Sequence, residues 1–304
     1  MPEPTIDEAV AWTGAHLGEC GFFFDFDGTL APIQDDPQAV QPVDSARESL
    51  AGLARRARRV AVISARPMDF LADRLGRVPG LDLYGLYGLE SSADGGRTVT
   101  TLPAAEPYAP VLAEVIRAAR LAFPQALIED KRLSCALHFR TAPESEPAIL
   151  AWAQDRARQD GLRVQHGRKV VELKPPVDWD KGATVRSALP GLAGAWYFGD
   201  DLGDLPAFAA LAHASTLPPT SLPTSPSSVP SSVPSAGGPD QSGSGAAGDT
   251  AGNMAADEAP RLRGFRVAVT SPESDQRLID QTQYQVHGPA EVPPVLDRII
   301  AAAP

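Results

Sequence analysis

Gly21-Phe22-Phe23-Phe24-Asp25-Phe26-Asp27-Gly28-Thr29-Leu30 decides how this chain is read. An aromatic-rich apolar run ends in two carboxylates one residue apart, followed by a glycine and a hydroxyl residue. A run apolar at every position suits a strand covered on both faces, as in a parallel sheet. Strand side chains alternate, so Asp25 and Asp27 leave the strand end on the same side. Ligands of open α/β sheets bind beyond the carboxyl ends of the strands. Asp and Gly are also ordinary turn residues, but a turn does not need two acids at this spacing behind a buried strand.

Outward from this stretch, helix and strand alternate. Residues 42–59 carry a helical pattern, and Val60-Ala61-Val62-Ile63 reads as a short buried strand with Ser64-Ala65-Arg66 at its end. Residues 81–89 read as another strand region, broken by Gly85 and Gly88. Such alternation predicts a parallel sheet. From 104 to 177 the pattern changes to helix, two strands, helix, two strands: helices over 106–123 and 144–159, strands over 126–129, 133–140, 163–166 and 170–173. This α+β unit is expected to be an inserted cap, because candidate site residues lie on both sides of it. The first pattern resumes with a helix over 181–189 and the strand Ala195-Trp196-Tyr197-Phe198, closed by Gly199-Asp200-Asp201-Leu202-Gly203-Asp204. A strand over 265–269 and a helix from 291 complete it. The expected fold is therefore α/β, a Rossmann-like parallel-sheet core (1–103 and 178–304) with an α+β cap (104–177). Residues 217–260 are rich in Ser, Pro, Gly and Ala and hold no aromatic residue. They have too little apolar surface to offset ordering entropy, which predicts a disordered insertion.

The 304 residues suffice for one large domain or two modest ones, and 43% hydrophobic content supports a core. A net charge of −11 argues against a nucleic-acid partner, which calls for a basic face. The dense basic run Arg55-Arg56-Ala57-Arg58-Arg59 reads as a solvated helix end. Cys20 and Cys135 make neither a disulfide framework nor a metal cluster. No signal-like N-terminus and no run of about 18 apolar residues is present. The expectation is a monomeric cytoplasmic protein without a membrane partner. Lys131, Lys169, Lys174 and Lys181 are the four lysines among 27 basic residues, all central in the chain. Where arginine is the default cation, a lysine marks a place for a compact point charge.

The acidic cluster 199–204 follows a second buried strand, and hard oxygen donors of this kind suit Mg²⁺. Ser64 at a strand end can donate to a phosphoryl oxygen. Lys181 opens a helix, where the dipole disfavours a cation, so a functional reason for it is expected.

Asp25-Phe26-Asp27-Gly28-Thr29-Leu30, Ser64-Ala65-Arg66, Lys181-Gly182 and Gly199 to Asp204 resemble, in order, the four motifs of the haloacid dehalogenase-like phosphatases. That resemblance implies Asp25 as the nucleophile and Asp27 as general acid/base. A carboxylate nucleophile splits one hard step into two, and the second acid protonates the leaving oxygen and then activates water. It also implies catalytic roles for Ser64 and Lys181, and a Mg²⁺ site from Asp25, Asp27 through its backbone carbonyl, and Asp200, with Asp201 and Asp204 through water or as an outer shell.

Within that superfamily the chain resembles the trehalose-6-phosphate phosphatases, through Gly85 to Glu90, Glu129-Asp130-Lys131, His138-Phe139-Arg140 and Glu172-Leu173-Lys174-Pro175. The resemblance implies a sugar-phosphate substrate contacted by Thr29, Arg66, Glu129, Lys131, Arg140, Lys169, Glu172 and Lys174. It departs from the pattern at Ala65, Lys174, Gly203 and Leu205. Other capped sugar phosphatases, acting on sucrose phosphate or mannosyl-3-phosphoglycerate, share the core chemistry, and a non-catalytic sugar-phosphate sensor is the rival of another class. The intact acid pair disfavours the sensor, which has no need of Asp27.

Overall fold

In a computed structural model of the chain, residues 4–34, 36–167, 169–216 and 261–304 are described. The segment 217–260, expected to be disordered, lies outside them. Strand β1 (Cys20–Phe24) is buried at every position and pairs in parallel with β10 (Gly194–Gly199) on one side and β2 (Arg59–Ile63) on the other. This central place explains its unbroken apolarity. Phe22 and Phe24 point to one face, where Phe24 stacks on Phe198 at 4.9 Å and Phe22 on Trp196 at 6.4 Å. Phe23 points to the other face, among Ala61, Ile63 and Tyr197.

The sheet continues outward. Its order is β12 (Tyr284–His287), β11 (Arg263–Thr270), β10, β1, β2, β3 (Leu81–Gly85), β4 (Glu90–Ser92), β5 (Thr100–Thr101). All neighbours from β12 to β3 are parallel, and β4 and β5 add an antiparallel edge. One face is covered by α1 (Ile6–Ala15), α2 (Ala46–Ala54), α3 (Met68–Leu75) and α9 (Val292–Ala301), which bury Val10, Leu50, Leu71 and Leu296 against it. The other carries α6 (Lys181–Ala188), α7 (Leu205–Ala214) and the short α8 (Gln276–Ile279), which bury Val185, Phe208 and Leu278.

Between β5 and α6 the chain builds a second sheet, antiparallel throughout, of order β6 (Leu127–Asp130), β7 (Cys135–His138), β9 (Val170–Lys174), β8 (Arg163–Gly167). Helices α4 (Ala109–Ala122) and α5 (Glu146–Asp160) cover one face and share a core of Leu112, Val115, Leu137, Ile149, Val171 and Leu173. The other face stays polar, as alternation requires of a half-covered sheet: Glu129, Ala136, Glu172 and Gln165 form one row across it.

Three details differ from the sequence reading. The helix expected over 42–59 is shorter, so the basic run lies past its end; Arg56 donates to the carbonyls of Ile300 and Pro304 at the end of α9. The strand region expected over 81–89 stops at Gly85, where the backbone turns left-handed at Leu86 (φ 50°), Tyr87 (φ 63°) and Gly88 (φ 103°). Helices α1, α3 and α8 and strands β4, β5 and β12 were not anticipated. Among the described residues no helix is long and apolar enough to cross a membrane.

Candidate active site

The carboxyl ends of β1, β2 and β10 meet at one pocket of about 440 Å³, lined on the sheet side by Asp25, Asp27, Ser64, Lys181, Asp200 and Asp201. Asp25 continues β1 by one step, its N–H donating to the Phe198 carbonyl at 2.9 Å, and its Oδ1 accepts the Phe26 N–H at 2.7 Å. The chain then reverses at Gly28 (φ 75°), which donates to the Ala31 carbonyl at 2.7 Å. Glycine is required there twice over. The conformation is left-handed, and a Cβ would stand 2.0 Å from Asp200 Oδ2.

Lys181, the first residue of α6, is 2% exposed, and its Nζ lies 2.8 Å from Asp25 Oδ2 and 2.7 Å from Asp204 Oδ1. Burial pulls this lysine down, but Asp204 and Asp25 outweigh it and hold the ammonium well above its ordinary pKa. Its misfit with the helix dipole is thus compensated by two carboxylates. Asp204 is fully buried: Oδ1 accepts from Lys181 and the Tyr197 hydroxyl, and Oδ2 from the N–H groups of Asp200 and Asp201. All four bonds are internal, so Asp204 shapes the acidic loop and holds Lys181.

The remaining charge is poorly balanced. Burial pushes Asp25 well above the usual carboxylate range, against the pull of Lys181 and with the repulsion of Asp204, Asp200 and Asp201. Asp200 is pushed up to about 8 by burial and then by Asp204 and Asp201. One carboxylate oxygen from each of Asp25, Asp201 and Asp204 lies within 4.8 Å of the others. Oxygen donors without histidine or cysteine, crowded and under-neutralised, fit a hard divalent cation.

On the other side of Asp25, Asp27 accepts a two-point bond from Arg66, Nε to Oδ2 at 2.8 Å and Nη2 to Oδ1 at 2.7 Å. The guanidinium lies over the Phe70 ring at 4.3 Å. Ser64 Oγ accepts the Arg66 N–H at 3.2 Å, so the end of β2 presents hydroxyl and guanidinium together.

The polar face of the second sheet supplies the facing wall. Gln165 and Lys174 line the pocket and are bonded to each other at 2.5 Å. Lys131 Nζ pairs with Glu172 at 3.2 Å and lies 3.9 Å from Glu129, which His138 contacts at 3.0 Å. Burial raises Glu129, but His138, Lys131 and, across the gap, Arg66 hold it below its ordinary pKa.

Of the eight expected substrate contacts, Lys174 lines the pocket; Arg66, Glu129, Lys131 and Glu172 are outside its lining but paired as described, and Thr29, Arg140 and Lys169 lie outside it as well. Thr29 is fully buried behind Asp200, donating to its Oδ1 at 3.1 Å. Arg140 is exposed in the loop after β7 and outside the pocket lining. Lys169 sits in the β8–β9 turn (φ 61°), paired with Glu146 at 3.1 Å. Against this, Tyr87, Trp179 and Ile33 line the pocket and were not foreseen. Tyr87 donates its N–H to the Ser64 carbonyl at 2.8 Å, and its own carbonyl accepts the Thr184 hydroxyl at 2.8 Å, which in turn accepts Trp179 Nε1 at 2.8 Å. Gly88 beside it had signalled the turn, though nothing in a Leu-Tyr pair announces left-handed backbone.

The model of the family described as Trehalose-phosphatase matches residues 23–238. A trehalose-phosphate phosphatase of Mycobacterium avium is 40% identical over 222 residues, 67% of this chain and 56% of its own length. The chain spans about half the length of the curated relatives it matches. Among solved structures, the C-terminal domain of C. albicans trehalose-6-phosphate phosphatase superposes with a TM-score of 0.66 at 18% identity, covering 100% of this chain and 99% of that one. A haloacid dehalogenase-like hydrolase from Bacteroides thetaiotaomicron gives 0.52 at 14%, covering 92% and 98%. At these identities the likeness is one of fold.

Proposed function

The chain belongs to the trehalose-phosphatase family, and from that premise we propose that it hydrolyses trehalose 6-phosphate to trehalose and inorganic phosphate, a step of trehalose biosynthesis. The observation that carries the reading is the pairing of Asp25 with Lys181 and of Asp27 with Arg66 at one pocket wall, opposite a polar sheet face.

In this reading the Asp25 carboxylate attacks phosphorus in line, forming a P–O bond as the bond to the sugar oxygen breaks. Asp27 delivers its proton to that leaving oxygen. Asp27 then takes a proton from the water that attacks the phosphorylated Asp25, releasing phosphate and restoring the carboxylate. Lys181 and the Ser64 hydroxyl hold equatorial oxygens, and Arg66 keeps the Asp27 carboxyl oriented between the two steps. Mg²⁺, held by Asp25, Asp200 and the Asp27 carbonyl with Asp201 beside them, would neutralise charge on the transferring group. Residues 104–177 act as the cap, and the Glu129, Lys131, Glu172 and Lys174 side chains pair with sugar hydroxyls. Polar groups left unpaired by a wrong sugar would discriminate strongly.

The test is phosphate release from trehalose 6-phosphate, sucrose 6-phosphate and glucose 6-phosphate, in Mg²⁺ and in EDTA. A Mg²⁺-dependent preference for the trehalose ester is expected. Preference for another ester overturns the cap assignment, and saturable binding without release from any of them overturns the enzyme.

A further inference from the structure

The turn that joins β6 to β7 sends three consecutive side chains to three destinations. Lys131 bends back along its own sheet to Glu172. Leu133 is fully buried among Leu86 and Leu89 of the other unit and Ala105 of the chain that connects the two. Arg132 crosses to the edge of the large sheet, where Nε donates to Glu90 Oε1 at 2.7 Å and Nη2 to Thr101 Oγ1 at 2.6 Å. Glu90 is 3% exposed, and its second oxygen accepts the N–H of Met68, the first residue of α3, at 3.0 Å. A carboxylate so far from water is kept only with a partner on each side.

The backbone bears the cost of this reach. Arg132 has φ 65°, and the Leu133 N–H closes a three-residue turn onto the Lys131 carbonyl at 2.7 Å. A left-handed arginine persists only where its surroundings hold it. The core holds it through Glu90, Thr101 and the Leu133 pocket, and the turn itself does so through Asp130, whose Oδ1 accepts the Arg132 N–H at 2.9 Å.

Two stretches of chain, 102–108 and 175–180, connect the units covalently. Leu102, Val177 and Trp179 from these stretches pack on the cluster that receives Leu133. Two connections define a hinge line, and an attachment off that line favours one position about it; Lys174 over the Tyr87 ring at 5.5 Å is a further contact between the units.

We propose that Arg132 is a positioning residue: with Glu90 it pins the cap at one angle over the core and thereby sets where Glu129, Lys131 and Glu172 stand relative to Asp25. The proposal rests on the sugar-phosphate reading of the pocket. A disaccharide ester spans core and cap, whereas a small aryl phosphate needs the core alone. Loss of the pin therefore acts on one substrate and spares the other.

The test compares Arg132→Met, which keeps the apolar stem, and the milder Thr101→Val with the unmodified chain. Each is assayed for kcat/KM on trehalose 6-phosphate and on p-nitrophenyl phosphate, and for amide hydrogen exchange over 102–108 and 175–180. Arg132→Met is expected to lose about 10- to 100-fold on the sugar ester and to stay within about twofold on the aryl ester, as for misplacement remote from the chemistry. Exchange in both connections should quicken. Thr101→Val should move the same way by less, and decides the matter if Arg132→Met does not fold. Equal losses on both esters, or no loss on the sugar ester, overturn the pin. If the unmodified chain turns over the aryl ester and not trehalose 6-phosphate, the substrate reading fails instead; the pin is then judged by exchange, and unchanged exchange in Arg132→Met overturns it.

Discussion

Asp25 is held in its place at a cost to the fold: it is buried, and three further carboxylates raise its pKa against a single lysine. Asp25→Asn removes the nucleophile and that repulsion together, while Lys181 keeps Asp204. Turnover should fall by about four orders of magnitude or more, and the melting temperature should hold or rise, as at other strained sites. Turnover within tenfold of the unmodified chain would sink the covalent mechanism. Gly28→Ala tests the opposite case, a residue whose absent side chain serves the site. The new Cβ meets Asp200 at 2.0 Å in a left-handed turn. About 1–3 kcal/mol should be lost in urea unfolding, with phosphatase activity lost as Asp200 is displaced. Unfolding at the unmodified midpoint would show that the turn relaxes freely.

At the scale of elements, each sheet carries one buried cysteine, Cys20 in β1 and Cys135 in β7. Burial pushes both thiols up to about 12, so both stay protonated and unreactive at pH 8. Neither should react with iodoacetamide in the native protein, and both should react in urea. Labelling of Cys135 at a lower urea concentration than Cys20 would show that the small sheet opens first; labelling in parallel would show one cooperative unit. Either thiol reacting rapidly without urea contradicts its burial. The same elements show what a sequence makes legible. Strands β1, β2 and β10 could be read because burial on both faces leaves apolar runs, and β11 because Phe265 and Val267-Ala268-Val269 are buried on either side of Arg266. Glu172 and Lys174 were named through the family resemblance, and strand alternation puts them on one face of the small sheet. Thr29, Arg140 and Lys169 were assigned to the substrate through the family resemblance, since period gives no direction to side chains in turns. Short edges such as β4 and β5 are too polar to leave a pattern. The end of β3 was hidden because Leu86 and Tyr87 bear no mark of the backbone they adopt, and Tyr87 was missed with it. Helix α1 went unread even though Thr5 and Glu8 form a reciprocal cap at its start.

For the whole molecule the governing quantity is charge. The chain carries a net −11, and the carboxylates of Asp25, Asp200, Asp201 and Asp204 gather at the ends of two central strands around one ammonium. Self-repulsion there opposes folding, since the unfolded chain lets these groups separate. A divalent cation that binds the native cluster and not the unfolded chain must therefore stabilise the protein by mass action, about 2.7 kcal/mol at a hundredfold excess over its dissociation constant. For a domain of this size that is a rise of about 5 °C or more in melting temperature. The control is NaCl at matched ionic strength, which screens exposed charge but does not bridge carboxylates. Mg²⁺ should raise the melting temperature well beyond that control, and EDTA should reverse it. The variants then sort the ligands. Asp200→Asn should abolish the Mg²⁺-specific rise if Asp200 binds the ion directly, and Asp201→Asn should only reduce it. The reverse order would make Asp201 the direct ligand, in keeping with its place beside Asp25 and Asp204 in the acidic group. No rise beyond NaCl would mean that Lys181 alone neutralises the site, and the cation would have no resident place in this fold.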